Sequence, residues 1–435
     1  MNQLRILVLA PDANPESISV SLVCYLHAEA LARLHRVTLV GRSWHEGALR
    51  RAKGNTLFQA LEAIKVPWLD SIYTWSLRRI FRYNFRSNLL TAFSYPFAIA
   101  FEWAAWRHFR SRIKAGEFDV ILRLSPIIAV IPSAFPFLLR SCSIPFIIGP
   151  INGGLPWPQG FSQADNQKRW FDKLRKLYRY LPFTQSTYRR AAAIIAGSSQ
   201  TYAEFSHYRN KLFFIPENGI SSSLCSDTVR PPRGGRKLEF IFVGGLVPYK
   251  ACDLALRAAA PFLRSGAAHF SVAGDGPERE RLERLAGSLE IKEAVTFCGT
   301  LSHSEAMERL RLADVLIFPS VREFGGGVVF EALAVGAVPV VADFGGPGDI
   351  VRPEVGYKVP LTNESDVVSE MERILADLVA NQDLLNRLGL QAMSYARECL
   401  TWEAKVESVT RIMYWVMGQT SRPDLPPPKV LEVVA

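Results

Sequence analysis

Short apolar runs rich in β-branched residues alternate with longer amphipathic stretches along the whole chain. In the first half, apart from a helical pattern over roughly residues 20–35, the apolar runs lie at 4–10, 36–41, 118–124, 144–149 and 192–197. In the second half they lie at 238–244, 268–273, 294–299, 314–318 and 337–342. This alternation predicts an α/β protein with two parallel, doubly wound, Rossmann-like sheets.

A segment without periodicity separates the two patterns. Residues 217–237 are rich in Ser, Pro and Gly, which is typical of a linker. We therefore predict an N-terminal domain over 1–216 and a C-terminal domain over 238–400. The last helix, at 401–418, is expected to pack back on the N-terminal domain. The proline-rich residues 419–435 predict a flexible tail.

Composition narrows the class of protein. The chain has 435 residues, of which 49% are hydrophobic and 21% charged, as in a soluble globular protein. Its six cysteines form no C-x-x-C pair, which argues against a disulfide framework or a zinc site and favours a reducing cytosol. The first apolar run is too short for a signal peptide. The apolar stretch 89–106 is short for a membrane span and is interrupted by Pro96 and Glu102.

Charge is distributed unevenly between the two halves. Residues 1–220 hold 28 Lys/Arg and 13 Asp/Glu, a net +15, whereas residues 221–435 hold 23 and 28, a net −5. Aromatic residues are interleaved with the basic ones at 64–114, and residues 165–190 are also basic. Such a stretch suits an anionic membrane surface, and the alternative is that its aromatic side chains belong to the core. No nucleic-acid-binding motif accompanies it, so we expect a cytoplasmic protein, peripheral on the inner membrane face, without a nucleic-acid partner.

The most informative loop follows the apolar run at 314–318. Glu323 lies in this loop, the three glycines 325–327 lead into a helix, and Glu331 lies within that helix. Glycines let an anion approach the backbone, and the helix start favours a phosphate. Glu331 can accept hydrogen bonds from a ribose, and Glu323 can reach an attached sugar. The alternative is a tight turn flanked by two solvated glutamates.

Other loops after predicted strands carry compatible residues. Gly244 and Gly245 end one strand, and Lys250 follows within reach of the same phosphates. Gly274 and Gly276 form a further turn, for which a structural role is favoured over ligand contact. The backbone of residues 297–303 can bond a base edge.

These segments, in unbroken order over roughly residues 238–360, resemble the group 1 family of retaining glycosyltransferases. The resemblance includes the E-x7-E signature at Glu323 and Glu331. It implies the GT-B fold, in which two Rossmann-like domains face a cleft, with a nucleotide-sugar donor and no metal. It also implies that Glu331 holds the ribose, that Glu323 and the amides after it hold the sugar, and that Lys250 neutralises the diphosphate.

The resemblance assigns Glu323 and Lys250 to catalysis. The donor-binding residues it implies are Gly244, Gly245, Gly274, Gly276, Cys298, Gly325, Gly326, Gly327, Val328, Val329 and Glu331. One departure concerns Gly245, where the family usually has arginine. Either Arg322 or a basic residue of the first domain replaces that cation.

Candidate acceptor or cleft residues come from the first half. Arg123 ends a predicted strand, where it can clamp a phosphate or form a structural ion pair. The loop at 147–161 resembles a glycine-rich loop of some family members. It places Asn152, Gly153 and Gly154 in the cleft, and Trp157 can stack on a sugar ring.

We therefore expect a retaining, metal-independent, hexosyltransferase-like enzyme without a cofactor. Its predicted partners are a nucleotide-sugar donor, a lipid-linked or envelope-polysaccharide acceptor, and an anionic membrane surface. Two alternatives remain open, a GT-B sugar-nucleotide epimerase and a non-catalytic nucleotide-sugar-binding protein.

Overall fold

The computed structural model describes residues 2–17, 19–66, 88–155, 157–158, 161, 180–225 and 236–425. The chain divides into two compact units. The N-terminal unit comprises Met1–Gly154, Asp165–Glu217 and Lys405–Ala435, and the C-terminal unit comprises Leu155–Ala164 and Asn218–Ala404. The segment from Lys405 onward thus belongs to the N-terminal unit.

A parallel sheet forms the centre of the N-terminal unit. Its strands within the described residues are β1 (Arg5–Leu9), β2 (Arg36–Arg42), β3 (Ala60–Ile64), β4 (Val120–Arg123), β5 (Phe146–Ile151), β6 (Ala193–Ala196) and β7 (Leu212–Phe214). They are ordered β3-β2-β1-β4-β5-β6-β7. The edge strands β3 and β7 are absent from the sequence prediction. Residues 6–9 of the central strand β1 are fully buried, because helices cover both faces of the sheet.

Helices connect these strands. They are α1 (Val20–Leu34), α2 (Glu46–Arg51), α3 (Asn88–Lys114), α4 (Phe135–Leu138), α5 (Thr184–Arg190) and α6 (Ser199–Glu204). The stretch 89–106 lies in α3, whose Glu102 is buried and whose interior contains Pro96. Among the helices of the described residues, none is both long enough and apolar enough to span a bilayer.

The C-terminal unit repeats the same design. Its strands within the described residues are β8 (Leu238–Val243), β9 (Ala268–Ala273), β10 (Val295–Gly299), β11 (Val315–Phe318), β12 (Val338–Ala342) and β13 (Tyr357–Val359). They pair in parallel in the order β10-β9-β8-β11-β12-β13. Five of these strands match predicted apolar runs, and the three-residue edge strand β13 does not.

The helices of the C-terminal unit follow its strands. They are α7 (Cys252–Arg264), α8 (Arg279–Ser288), α9 (His303–Leu312), α10 (Gly327–Val335), α11 (Gly345–Ile350), α12 (Glu364–Ala380) and α13 (Gln382–Tyr395). Their apolar faces and the strands form one buried core.

The last helix, α14 (Trp402–Val416), joins the N-terminal unit from Lys405 onward. Its Tyr414 hydroxyl donates to the carbonyl of Asn2, and Thr410 Oγ1 lies 2.8 Å from Nε2 of His35. Beyond the helix, the Arg422 guanidinium donates to the Leu212 carbonyl at 3.1 Å. These contacts fix the segment as far as Arg422. Residues 426–435 of the predicted tail and 226–235 of the predicted linker lie outside the described residues.

Candidate active site

The C-terminal sheet contains a point where the order of its strands reverses. Strands β9 and β10 lie on one side of β8, whereas β12 and β13 lie beyond β11. In parallel α/β sheets, ligands bind outside the carboxyl ends of the strands at this point. The loop after β8 carries Lys250 and the loop after β11 carries Glu323. The topology therefore brings these two predicted residues together.

Hydrogen bonds hold the two loops against each other. The amide of Val321 donates to the carbonyl of Tyr249 at 2.9 Å, and the Ser320 hydroxyl donates to the same oxygen at 3.3 Å. Tyr249 directly precedes Lys250 in a short 3-10 turn. The turn that carries Lys250 is thus fixed to the loop that carries Glu323.

The ammonium of Lys250 donates a hydrogen bond to Glu323 Oε2 and forms an ion pair with it. The two side chains are 17% and 18% exposed, so both remain accessible from solvent. The Lys250 Nζ also lies 4.9 Å from the ring centroid of Phe318, at the end of β11. Because an ammonium carries three N–H donors, its bond to Glu323 leaves donors for phosphate oxygens.

The turn before α10 needs glycine. Gly326 has φ 57° and ψ 42°, a left-handed conformation that glycine adopts without a steric penalty. A Cβ atom at this position would lie 3.0 Å from Cγ of Pro347. The amide of Gly326 donates to Glu323 Oε1 at 3.3 Å. One carboxylate therefore contacts both Lys250 and the turn that starts the helix.

The residues predicted to bind the donor at the start of α10 differ in how accessible they are to a ligand. The amide of Val329 donates to the Gly326 carbonyl at 2.8 Å, and Val329 is fully buried, which argues against a ligand contact there. Gly325, Gly327 and Val328 are partly exposed. Amides in the first helical turn have no acceptor within the helix, and the helix dipole favours an anion beside them. Gly327 and Val328 are the better candidates for binding a phosphate.

Two of the other predicted glycines, Gly274 and Gly276, let neighbouring loops pack closely together. A Cβ atom at Gly274 would lie 1.9 Å from the carbonyl oxygen of Gly244, and one at Gly276 would lie 2.4 Å from that of Leu246. This close approach supports the structural role that the sequence favours for Gly274 and Gly276. By contrast, Gly245 is exposed, and the nearest atom to its Cβ position is 4.0 Å away. A longer side chain therefore has room at Gly245.

Glu331 has a partner that the sequence analysis missed. Its Oε1 lies 2.9 Å from Nε2 of His303, the first residue of α9. The hydrogen bond to Glu331 is the main cause that raises the pKa of His303 above its usual value. The histidine is visible in the sequence at the end of the loop 297–303, but its pairing joins residues 28 positions apart.

Cys298 lies in β10 and is partly exposed, with its Sγ 3.7 Å from the carbonyl oxygen of Thr296 in the same strand. All six cysteines are free thiols. In the parts of the chain that the structure describes, no three His, Cys, Asp or Glu side chains are grouped in a way that could hold a metal ion.

Trp157 groups with the C-terminal unit, although the sequence places it in the first domain. The guanidinium of Arg322 lies 5.2 Å from the centroid of its ring, within the range of a cation–π interaction. The structure thus pairs two residues that were predicted separately, Trp157 to stack on a sugar and Arg322 to replace the missing cation.

In the N-terminal unit, Arg123 lies in a structural ion pair. Its Nε is 2.9 Å from Glu102 Oε1, and the two side chains are 1% and 3% exposed. Its guanidinium also donates to the Ile131 carbonyl at 3.0 Å. Burial raises the pKa of Glu102, against the opposing effect of Arg123. Of the two alternatives for Arg123, the structure realises the ion pair and closes the guanidinium off from a ligand.

The loop after β5, which the sequence places in the cleft, is also held by hydrogen bonds to other residues of its own unit. The Asn152 side chain is buried and donates to Glu217. The amide of Gly153 donates to the Thr201 hydroxyl at 2.7 Å, and Gly154 follows with φ 94°. Glu217 also acts on Lys405: burial lowers the pKa of this lysine well below its usual value, and the charge of Glu217 opposes that shift. Asn152 and Gly153 therefore serve the packing of the unit in this structure.

Comparison with known proteins relates part of the chain to a family. Residues 229–392 match the family model described as "Glycosyl transferases group 1". An uncharacterised glycosyltransferase of Methanocaldococcus jannaschii is 32% identical over 147 residues, which cover 34% of this chain and 38% of that protein. The matched segment thus spans less than half of this relative. The predicted resemblance to group 1 glycosyltransferases is confirmed for this segment.

Solved glycosyltransferase structures extend the likeness to nearly the whole chain. Anabaena HepE in complex with UDP has a TM-score of 0.57 at 15% identity, covering 94% of this chain and 98% of that one. The lipopolysaccharide outer core galactosyltransferase WaaB has a TM-score of 0.61 at 12% identity, covering 95% and 99%. Identities this low establish the fold alone. They confirm the predicted GT-B fold class.

Proposed function

We propose that this chain, whose residues 229–392 belong to the group 1 glycosyltransferase family, is a retaining glycosyltransferase that needs no metal ion. It moves a sugar from a nucleotide-sugar donor to a lipid-linked or envelope-polysaccharide acceptor. The observation that carries the proposal is the Lys250–Glu323 pair beside the first turn of α10. A cation, a carboxylate and helix amides at one strand-end crevice suit the phosphates and the sugar of such a donor.

Each group has a role in this proposal. Lys250 and the amides of Gly327 and Val328 bind the diphosphate, Glu323 accepts hydrogen bonds from the sugar, and Glu331 accepts them from the ribose. Because these groups are fixed by the fold, they stabilise developing charge without reorganising during the reaction. The protein then accelerates transfer by positioning and electrostatics.

The reaction exchanges two bonds at the anomeric carbon. The bond to the diphosphate oxygen breaks while the bond to the acceptor oxygen forms on the same face of the sugar. The departing diphosphate takes the proton of the acceptor hydroxyl, so the proposal needs no protein nucleophile. Lys250 and the start of α10 offset the negative charge that remains on the diphosphate.

The acceptor class and a membrane location rest on the N-terminal half. Residues 1–220 carry the net charge of +15 derived above, and the described part exposes Trp103 on α3 to 47%, Phe137 on α4 to 38% and Tyr180 to 85%. The Arg140 guanidinium lies 4.6 Å from the Phe137 ring centroid. Exposed aromatic residues beside arginines favour an anionic lipid surface. The structural similarity to WaaB, a lipopolysaccharide outer core galactosyltransferase, supports an envelope acceptor.

A ligand panel tests the enzymatic proposal. UDP, GDP, ADP and their sugar conjugates are screened by thermal shift, since a bound ligand raises the apparent stability. Turnover and product stereochemistry are then measured with the stabilising donor, with and without EDTA. We expect transfer with retention that survives EDTA. Loss in EDTA that magnesium or manganese restores contradicts metal independence. Turnover of the donor without any acceptor supports an epimerase, and binding without turnover supports a non-catalytic protein.

Vesicle sedimentation tests the membrane proposal. We expect binding to anionic but not neutral vesicles, weakening at high salt, because each basic residue near such a surface contributes about 1 kcal/mol. The test variant changes four arginines, which lie outside the described residues, to glutamate: Arg78, Arg79, Arg82 and Arg86. The matched control changes four exposed arginines of the C-terminal unit to glutamate: Arg284, Arg309, Arg311 and Arg373. Equal recovery of the native protein in every supernatant contradicts the proposal.

A further inference from the structure

Glu331 is held by a residue from another element. It is the fifth residue of α10, and its side chain is 22% exposed. The carboxylate of a long, partly exposed side chain samples several rotamers unless a partner restrains it. Here Glu331 Oε1 lies 2.9 Å from His303 Nε2. The restraint engages one oxygen of the carboxylate and leaves the other for a further donor.

The backbone of His303 is itself held in place, although its side chain is 65% exposed. It is the first residue of α9, whose start has a reciprocal capping box between Ser302 and Glu305. The Ser302 amide donates to Glu305 Oε2 at 2.8 Å, and the Glu305 amide donates to the Ser302 hydroxyl at 3.3 Å. A cap of this kind stabilises the first turn of a helix. His303 therefore extends from an ordered backbone toward Glu331.

Electrostatics supports a directed contact. A cation at a helix N-terminus is disfavoured by the helix dipole. The pKa of His303 is nevertheless raised, chiefly by its hydrogen bond to Glu331. The hydrogen bond to Glu331 thus outweighs the lowering effect of burial on this pKa, and a protonated imidazole donates through Nε2.

A second histidine–carboxylate pair in the same unit provides a contrast. His269 Nδ1 lies 3.1 Å from Glu239 Oε2, and His269 Nε2 lies 3.0 Å from the Thr296 hydroxyl. These residues are the second positions of β9, β8 and β10, so this pair lies at the amino ends of the strands. His303 and Glu331 instead lie on helices that follow the carboxyl ends of β10 and β11. Ligands bind at the carboxyl ends.

We propose that His303 is a positioning residue that orients the Glu331 carboxylate for the ribose hydroxyls of a nucleoside diphosphate, and so makes the site prefer ribose to deoxyribose. This inference rests on the proposed function. His303 fixes Glu331 Oε1, and the ribose hydroxyls donate to the carboxylate in the fixed orientation. Without the imidazole, the carboxylate loses orientation before the ligand binds, and ordering it reduces affinity.

The experiment measures binding of ribose and deoxyribose ligands to four proteins. UDP, GDP and ADP and their 2′-deoxy and 3′-deoxy forms are titrated by calorimetry into the native chain, His303→Ala, His303→Gln and His269→Ala. His303→Ala is expected to weaken the best ribonucleotide about tenfold, the scale of one hydrogen bond to a charged group. His303→Gln, which keeps an N–H donor, should recover most of that loss. His269→Ala should bind like the native chain.

The ratio of ribose to deoxyribose affinity within each protein separates positioning from damage to the fold. The native chain should show a clear preference for ribose, and His303→Ala should lose most of it, because deoxy ligands gain little from Glu331. An unchanged ratio in His303→Ala, whether or not the two affinities fall, overturns the inference while the proposed function stands. Failure of the native chain to bind any of the three ribonucleotides overturns the proposed function and the inference together.

Discussion

The two sheets of this protein reverse their strand order in the same way, but charged residues serve different ends at the two reversal points. In the N-terminal sheet the reversal lies between β1 and β4, and Arg123 at the end of β4 is buried against Glu102. In the C-terminal sheet it lies between β8 and β11, where Lys250 and Glu323 pair with partial exposure. Topology therefore locates a candidate site, and solvent access decides whether its charges can meet a ligand.

The local partners explain this difference. Glu102 comes from α3 and accepts hydrogen bonds from the Ser133 hydroxyl at 2.8 Å and the Ala134 amide at 2.6 Å. Such bonds compensate for removing the ion pair from water. Lys250 instead pairs with Glu323 and lies 4.9 Å from the Phe318 ring centroid, and its side chain keeps 17% of its surface exposed. A site for an anionic ligand needs that access.

The largest effect is expected from breaking the buried pair. Arg123→Met leaves the Glu102 carboxyl buried without its cation, so the free energy of unfolding should fall by about 3–5 kcal/mol. Chemical denaturation measures this change. The control Arg123→Met/Glu102→Gln removes both charges and should be more stable than the single variant. A single variant as stable as the native chain contradicts the structural role and returns Arg123 to the ligand-binding candidates.

The next effect concerns the accessible pair. Lys250→Ala removes the cation from the proposed diphosphate site, so kcat should fall by about a hundredfold or more while the melting temperature stays near native. Steady-state kinetics with the donor found in the ligand panel measures it. Lys358→Ala removes a comparable lysine, which is 2.8 Å from Asp343 in the same unit, and should leave kcat unchanged. Similar kcat values for Lys250→Ala and the native protein would remove Lys250 from the mechanism.

A smaller effect should follow at Glu331. Ribose contacts act alike in the ground state and the transition state, so Glu331→Ala should raise KM about tenfold and leave kcat close to native. Glu239→Ala, which removes the other histidine-paired carboxylate of the unit, is the matched control. Unchanged nucleotide affinity in Glu331→Ala is incompatible with the ribose assignment.

The sequence predicts what lies along one segment better than what depends on distant partners. Apolar runs locate the central strands because those are buried on both faces. The edge strands β3, β7 and β13, which have three to five residues each, are absent from the sequence prediction. Lys250 and Glu323 follow from the rule that ligands bind at strand ends. Arg123 could not be assigned because its burial depends on Glu102, which lies on α3 rather than in its own loop.

The site was also incompletely predicted at the opening of the crevice. His303 pairs with Glu331 only once α9 and α10 are folded side by side, and no local pattern in residues 297–303 specifies that contact. Likewise, Arg322 and Trp157 are far apart in sequence and meet only in the folded C-terminal unit. Such pairs arise from the packing of whole elements.

The smallest predicted effect comes from adding a charge at the reversal point of the C-terminal sheet, between β8 and β11. Gly245 stands where the resemblance to group 1 glycosyltransferases predicts an arginine, and a Cβ atom there would lie 4.0 Å from the Asp275 carbonyl oxygen. Gly245→Arg should therefore fold normally and bind the nucleoside diphosphate about threefold to tenfold more tightly, since a guanidinium can form paired bonds to phosphate. Gly245→Gln is the control, with similar length and no charge. If calorimetry shows equal affinity for both variants and the native chain, the phosphates do not lie near Gly245, and the proposed diphosphate position between the loop after β8 and the start of α10 is wrong.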